Sequence, residues 1–413
     1  MKRSRDGSII GRREFLKRGM LAGVGVSILP LAGAASASIE ATAPRVRRYA
    51  TLGRTGLKIS DISFGASRLT AGNEDLVRHA FDCGVNYFDS ADTYTDGESE
   101  STIGNALKGK RDKVFLTSKT MAGADDSRAS MMTALEGSLR RLQTDHIDVY
   151  FNHAVNNPAR LRNPEWYEFV TQAKSQGKIR FTGMSGHAGN LAECLDYAID
   201  SGHFDVILCA HNFGQDPSFM QRFTRNFDMV ARQPELPRIM KKANEHGVGV
   251  VVMKTLMGAR LNDMRSYESG GATFSQAAFR WVLSNHNVNA LIVSMTSKQV
   301  IDEYLGASGA RATAASDLPL LNRYASLNGD SQCRPACNEC ANACPFVVPI
   351  ADVMRTRMYA RDYRDIRLAR SEYAMLPANA AACLTCDAKP CAGACPHGIA
   401  TEVLLAPTHQ LLA

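Results

Sequence analysis

Residues 114–151 read VFLTSKTMAGADDSRASMMTALEGSLRRLQTDHIDVYF and contain one complete strand–helix–strand unit. Residues 114–118 and 147–151 are short apolar, β-branched and aromatic runs of strand length. Between them, 127–142 carries Leu135, Leu139 and Leu142 at helical spacing. The same alternation extends in both directions. Strands are predicted at 62–65, 85–89, 114–118, 147–151, 179–184, 206–209, 248–253 and 291–293, with helical stretches between them such as 274–283. Eight β–α repeats in about 250 residues point to an α/β fold, a closed (β/α)8 barrel. An open doubly wound sheet has fewer strands and a glycine-rich first turn. Here Gly65-Ala66-Ser67 is no G-x-G-x-x-G.

In such a barrel, chemistry sits at the carboxyl ends of the strands. Those ends offer Asp89 and then Tyr94 after the second strand, Lys119 after the third and His153 after the fourth. Together these four side chains can move a proton. The ammonium can lower the phenol pKa, the carboxylate can keep the ammonium charged, and the imidazole can hydrogen-bond a carbonyl oxygen.

Several separated motifs make residues 49–308 resemble an aldo-keto reductase. They are YATLGRTGLKIS (49–60), FDSADTY (88–94), GESE (97–100), SLRRLQTDHID (138–148) and KIRFTGMS (178–185). The resemblance implies that Tyr94 is the general acid toward a carbonyl, or the base toward an alcohol. Lys119 and Asp89 would tune it, and His153 would orient the substrate oxygen. It also implies NADP(H), with Gly65, Ser185, Met253, Ser294 and Lys298 as expected contacts. The nicotinamide positions depart from the family pattern. Its Ser-Asn pair is Ser185-Gly186 here, its Gln on the sixth strand is Leu208, its stacking aromatic is Met253, and its phosphate-binding Arg falls at Val300.

Eight of the eleven cysteines lie beyond residue 330. They form two runs, Cys333-x3-Cys337-x2-Cys340-x3-Cys344-Pro and Cys383-x2-Cys386-x4-Cys391-x3-Cys395-Pro. Closely spaced thiolates on a loop can hold an inorganic cluster; zinc also takes four-cysteine sets, and exported chains use cysteines for disulfides. The paired Cys-Pro endings resemble the bacterial two-cluster ferredoxin pattern, in which the last cysteine of each run serves the other cluster. The resemblance implies one [4Fe–4S] cluster on Cys333, Cys337, Cys340 and Cys395, and a second on Cys383, Cys386, Cys391 and Cys344. Residues 350–375 are expected to form one long helix or two short ones, with Arg355, Arg357, Arg361, Arg364, Arg367 and Arg370 on a solvated face. Cys83, Cys194 and Cys209 are expected as small core residues.

The first 37 residues read as an export signal. Lys2, Arg3 and Arg5 precede Arg12-Arg13-Glu14-Phe15-Leu16-Lys17, then a short apolar stretch and Ala35-Ser36-Ala37. The paired arginines resemble a twin-arginine signal, which implies the Tat translocase as a partner, folded export to the periplasm, and a cofactor acquired before export. This segment carries +5 of the net charge of +7, so no nucleic-acid partner is implied. With 45% hydrophobic and 22% charged residues the chain can build a large core, and no run is long enough for a membrane span. The expected order is signal 1–37, barrel 45–310, connector 311–329 and a mainly helical two-cluster ferredoxin-like domain 330–413. The expected function is an exported iron–sulfur oxidoreductase acting on a small carbonyl or alcohol, with a redox partner protein. The alternative is an electron-transfer or assembly subunit that has lost nicotinamide binding.

Overall fold

The computed structural model describes residues 43–187, 189–215, 235–257, 263–268, 271, 273–328 and 333–413. The expected export signal lies outside the described residues. Strands β1 (Tyr49–Thr51) and β2 (Lys58–Ser60) form an antiparallel hairpin. Eight parallel strands follow: β3 (Ile62–Gly65), β4 (Tyr87–Asp89), β5 (Phe115–Thr120), β6 (Ile147–Asn152), β7 (Ile179–Gly186), β8 (Val206–Ala210), β9 (Gly249–Met253) and β10 (Ala290–Ser294). They close into a barrel in chain order, β10 pairing with both β9 and β3. Each strand falls on one of the eight predicted runs.

The two-residue period of a strand explains both core and site. Along β4, Tyr87 points inward and Phe88 outward, so Asp89 returns to the inside. Along β6, Val149 and Phe151 point inward and Tyr150 outward. Inward residues Val206, Leu208, Val251, Ala290 and Ile292 fill the barrel, and Leu52, Leu57 and Ile59 of the hairpin plug its base. The outward set packs against the helices in a separate, larger core. Gly183 shows how tight the interior is: a Cβ there would meet the Phe151 ring at 2.3 Å. Helix Arg128–Leu142 begins at Ser127, whose hydroxyl accepts from the Ser130 amide at 3.3 Å, and ends at Gln143 in the left-handed region (φ 54°).

The expected connector contributes to the barrel's own packing. Helix Asp317–Asn328 sends Leu320, Leu321, Tyr324 and Ala325 into the barrel core, with Tyr324 stacked on Phe274 at 4.1 Å. Beyond it, Val353, Met354, Met358, Tyr359, Ala369, Tyr373 and Leu405 build a second core. The 350–375 segment forms two helices, Ile350–Arg361 and Ile366–Ala374. They are separated at Arg364 (φ 56°), and the Asp365 carboxylate caps the second. One arginine departs from the expected solvated face. Arg355 is buried because it pairs with Glu372 on the next helix. Cys194 and Cys209 are core residues as expected. Cys83 is only half-buried, 3.8 Å from His79 Nε2, which itself pairs with Asp302. Among the described residues, no helix is long and apolar enough to cross a membrane.

Candidate active site

The last inward position of successive strands sets the mouth of the barrel. Gly65, Asp89, Lys119, His153, Ser185, Met253 and Ser294 all line one cavity of about 210 Å³, and Tyr94 enters from the short 3-10 helix Tyr94–Gly97 after β4. Lys119 Nζ donates to Asp89 Oδ2 at 2.6 Å and to the Ser90 carbonyl at 2.5 Å, while Thr117 Oγ1 donates to Asp89 Oδ1 at 2.8 Å. Nζ lies 4.9 Å from the centre of the Tyr94 ring. The Tyr94 and His153 rings meet edge to face at 5.5 Å.

Burial and neighbouring charges bias the protonation of three of these groups. Burial holds Lys119 below the usual lysine range, and the Asp89 carboxylate opposes that. The phenol is a correction to the sequence reading. Burial, then the Asp89 charge, push the Tyr94 pKa well above normal, so Tyr94 rests as a protonated donor. Burial and the Lys119, Arg160 and Lys254 charges push His153 far below the usual imidazole range, which leaves it neutral. Its Nδ1 is buried with no hydrogen-bond partner. A polar ligand atom would satisfy such a group.

The expected nucleotide contacts divide. Gly65, Ser185, Met253 and Ser294 face the cavity; Lys298 does not, because its ammonium pairs with Asp75 at 3.2 Å. Ser185 Oγ accepts from the Ala154 amide at 3.1 Å, which leaves its proton free to donate to a carboxamide. Gly186 has no room for the family's Asn side chain: a Cβ would meet Leu191 Cδ1 and the Val155 carbonyl at 2.8 Å. Leu208 offers only apolar surface. Toward Ser294 the cavity is richer, with Ser67, Thr296 and the start of helix Lys298–Leu305 nearby. Hydroxyls beside a helix N-terminus suit phosphate oxygens. The donor set therefore fits a dinucleotide more firmly at its phosphates than at its nicotinamide.

Sequence reasoning missed the roof. Tyr359, Tyr363, Leu368 and Glu372, all from the two helices between the cysteine runs, close over the cavity, as do His187 and Lys254 from the barrel. Tyr359 OH lies 3.1 Å from Lys254 Nζ and 3.1 Å from His187 Nε2. Gly189 N donates to Asp352 at 3.2 Å, and Arg367 pairs with Asp96, two residues past Tyr94. The only signal in the sequence was a pair of tyrosines, Tyr359 and Tyr363, at helical spacing among charged residues.

The thiols of the two cysteine runs lie close enough to influence one another. The Cys333 thiol is pushed up by burial and then by Cys337, Cys340 and Cys395. The Cys383 thiol is pushed up by burial and then by Cys344, Cys391 and Cys386. In both cases the last cysteine of one run acts on a thiol of the other. All eleven cysteines are free thiols. Tetrahedral zinc needs sulfurs about 3.8 Å apart, from Zn–S bonds of ~2.3 Å. Among the described residues, only His79, Cys83 and Asp302 bring three ligand atoms within 4.8 Å of one another, so the cysteine sets are spread wider than zinc requires. Four thiolates, one for each iron corner, are the donor set that a cubane takes. A smaller cavity of about 30 Å³ borders Cys333 and Cys337 and shares His187 and Lys254 with the larger one.

Comparison with known proteins agrees with the barrel. Residues 61–270 match the aldo/keto reductase family. L-galactose dehydrogenase of Arabidopsis thaliana is 26% identical over 291 residues, 62% of this chain and 86% of that protein. An uncharacterized oxidoreductase of Bacillus subtilis is 28% identical, over 56% of this chain and 73% of its own. A probable voltage-gated potassium channel β subunit of Arabidopsis thaliana is 24% identical, over 63% and 90%. Among solved structures, a putative aldo-keto reductase of Pseudomonas aeruginosa superposes with a TM-score of 0.51 at 24% identity, over 65% of this chain and 97% of that one. The holo form of a Bacillus halodurans aldo-keto reductase gives 0.51 at 23%, over 67% and 95%; at these identities both speak for the fold. With the match spanning half the sequence and the barrel closed around Asp89, Tyr94, Lys119 and His153, the chain belongs to the aldo/keto reductase family and is an oxidoreductase of that kind.

Proposed function

We propose that this protein is an exported iron–sulfur oxidoreductase that interconverts a small carbonyl and its alcohol with NADP(H) and/or passes electrons through two [4Fe–4S] clusters. One observation carries the reading. The four proton-handling residues line a cavity roofed by the helices that link the two cysteine runs, and His187 and Lys254 border both that cavity and the one beside Cys333 and Cys337.

NADP(H), when bound, supplies or accepts the hydride. Ser294, Thr296 and the start of helix Lys298–Leu305 would hold its phosphates, and Ser185 would hold its carboxamide. The chain's own residues do the rest. His153, neutral and buried, can place the substrate oxygen near the Tyr94 phenol. Tyr94, protonated at neutral pH, gives its proton to that oxygen as the carbonyl becomes an alcohol and takes it back in the reverse direction. Lys119, fixed by Asp89 and the Ser90 carbonyl, keeps positive charge near the ring and favours the phenolate once the proton has left. Tyr359, Tyr363, Leu368 and Glu372 narrow the cavity, and reduced access of water there would strengthen each of these electrostatic effects.

Cys333, Cys337, Cys340 and Cys395 would hold one cluster, and Cys344, Cys383, Cys386 and Cys391 the other. Carbonyl reduction by NADPH already balances its two electrons, so the clusters would exchange electrons one at a time with a separate redox partner protein. The twin-arginine signal agrees, since folded export lets a protein receive its clusters in the reducing cytoplasm. A second reading, an electron-transfer subunit that does not bind nicotinamide, is favoured by Leu208 and by the missing space at Gly186. Anaerobically purified protein should contain about eight iron and eight acid-labile sulfides per chain and should quench NADPH fluorescence on titration. Stoichiometric zinc overturns the cluster assignment; eight iron without NADPH binding selects the subunit reading.

A further inference from the structure

Lys254 occupies an unusual place at the barrel mouth. It follows β9 directly and takes a left-handed backbone conformation, φ 58°, which a side-chain-bearing residue adopts only where its surroundings enforce it. They do so here: the Lys254 carbonyl accepts from the Met257 amide at 3.2 Å and from Asn212 Nδ2 at 3.1 Å. The half-buried side chain lines the cavity that holds Asp89, Tyr94, Lys119 and His153. Nζ rests against Tyr359 OH at 3.1 Å and over the Tyr359 and Tyr363 rings at 4.6 and 5.4 Å.

Among the described residues, no carboxylate lies within ion-pair distance of this ammonium. Glu372, the acid that acts on it, is already paired with Arg355. The other ammonium in the cavity, Lys119, has Asp89. The site thus lacks a counter-ion for Lys254, and a partly buried cation without one is costly to keep. His153 feels both Lys119 and Lys254, which puts the unmatched charge close to the reacting carbonyl.

We infer that Lys254 is the counter-ion for a carboxylate on the substrate. The site then takes small 2-oxo acids and 2-hydroxy acids, with the carbonyl carbon toward Tyr94 and His153 and the carboxylate on Lys254, which Tyr359 positions from the roof. The inference rests on the reductase reading and names its substrate class.

The test uses the full chain with its iron intact and oxamate, an unreactive 2-oxo-acid mimic, in calorimetric titrations with and without NADPH. Wild type should bind oxamate in both conditions. Lys254→Met should weaken binding about 10–100-fold, the effect of losing a charge-assisted hydrogen bond, and Lys254→Arg should restore part of it. Tyr359→Phe, which removes only the hydroxyl, should weaken binding several-fold. In turnover, wild type should prefer a 2-oxo acid to its methyl ester, and Lys254→Met should lose that preference through KM. Lysine-dependent oxamate binding without carbonyl turnover supports the anion site while refuting the reductase reading. The inference is overturned by equal oxamate affinity in wild type and a folded, iron-replete Lys254→Met protein. It is also overturned if wild type binds no oxamate, or if NADPH displaces oxamate, which would assign the cation to a cofactor phosphate.

Discussion

Replacing Lys254 with methionine should make the protein more stable, and more so in acid than in base. Burial drops the lysine pKa from 10.5 to about 7, with Glu372 opposing the fall and Arg355 adding to it. Tyr359, Tyr363, His187 and His153 also face the group, and burial keeps both imidazoles neutral. Below pH ~7 the amine is charged in both the folded and the unfolded chain, so the folded state bears the full burial penalty. Between ~7 and 10.5 the unfolded chain binds the extra proton, so this lysine's effect makes stability rise with pH. Above 10.5 the penalty is gone. The displacement caps it at roughly 5 kcal/mol, and losing the Tyr359 hydrogen bond returns about 1–2 kcal/mol. Methionine, similar in length and apolar, should therefore stabilise by at most about 3–4 kcal/mol at pH 6. Thermal melts of wild type and variant at pH 6 and pH 9.5 provide the assay. A gain of a few degrees at pH 6 that shrinks by pH 9.5 is expected. Equal melting at both pH values, or a variant less stable at pH 6, would refute the burial argument.

Two further outcomes follow from other parts of the chain. Arg12→Lys with Arg13→Lys should block export while leaving a folded, iron-containing protein in the cytoplasm; cell fractionation checks this, and variant found in the periplasm contradicts the twin-arginine reading. Gly183→Ala should cost about 2 kcal/mol or more, because its methyl would stand 2.3 Å from the Phe151 ring across the β6–β7 pair; denaturant melts that superpose on wild type would contradict so tight an interior.

The barrel was legible because its signal is local. A run such as IDVYF (147–151) alternates faces wherever it sits, so its last inward residue and the neighbouring strand ends predict one ring of side chains. Asp89, Lys119 and His153 could be placed at one mouth without coordinates. The roof could not. Arg355 reads as one more solvated cation until Glu372, on the next helix, buries it, and nothing near Tyr359 in the chain indicates that Lys254, more than a hundred residues earlier, meets its hydroxyl. Lys298, expected at the nucleotide, stands outside the cavity lining and pairs with Asp75 at the surface, a partner the sequence does not indicate. The phenol of Tyr94 shows the limit for electrostatics. The sequence supplies a neighbouring ammonium, but burial and Asp89 set the resting state.

The account stands most directly on Tyr94. Tyr94→Phe removes the proton donor and keeps the ring that packs against His153 at 5.5 Å, so fold and iron content should be retained. The decisive measurement is kcat for NADPH-dependent reduction of a carbonyl that wild type turns over, compared in the two proteins at equal iron content. A loss of about 10²–10⁴-fold, the usual size of a general-acid contribution, is the predicted result. Equal kcat in wild type and Tyr94→Phe would contradict the account and remove the barrel mouth as the site of reduction.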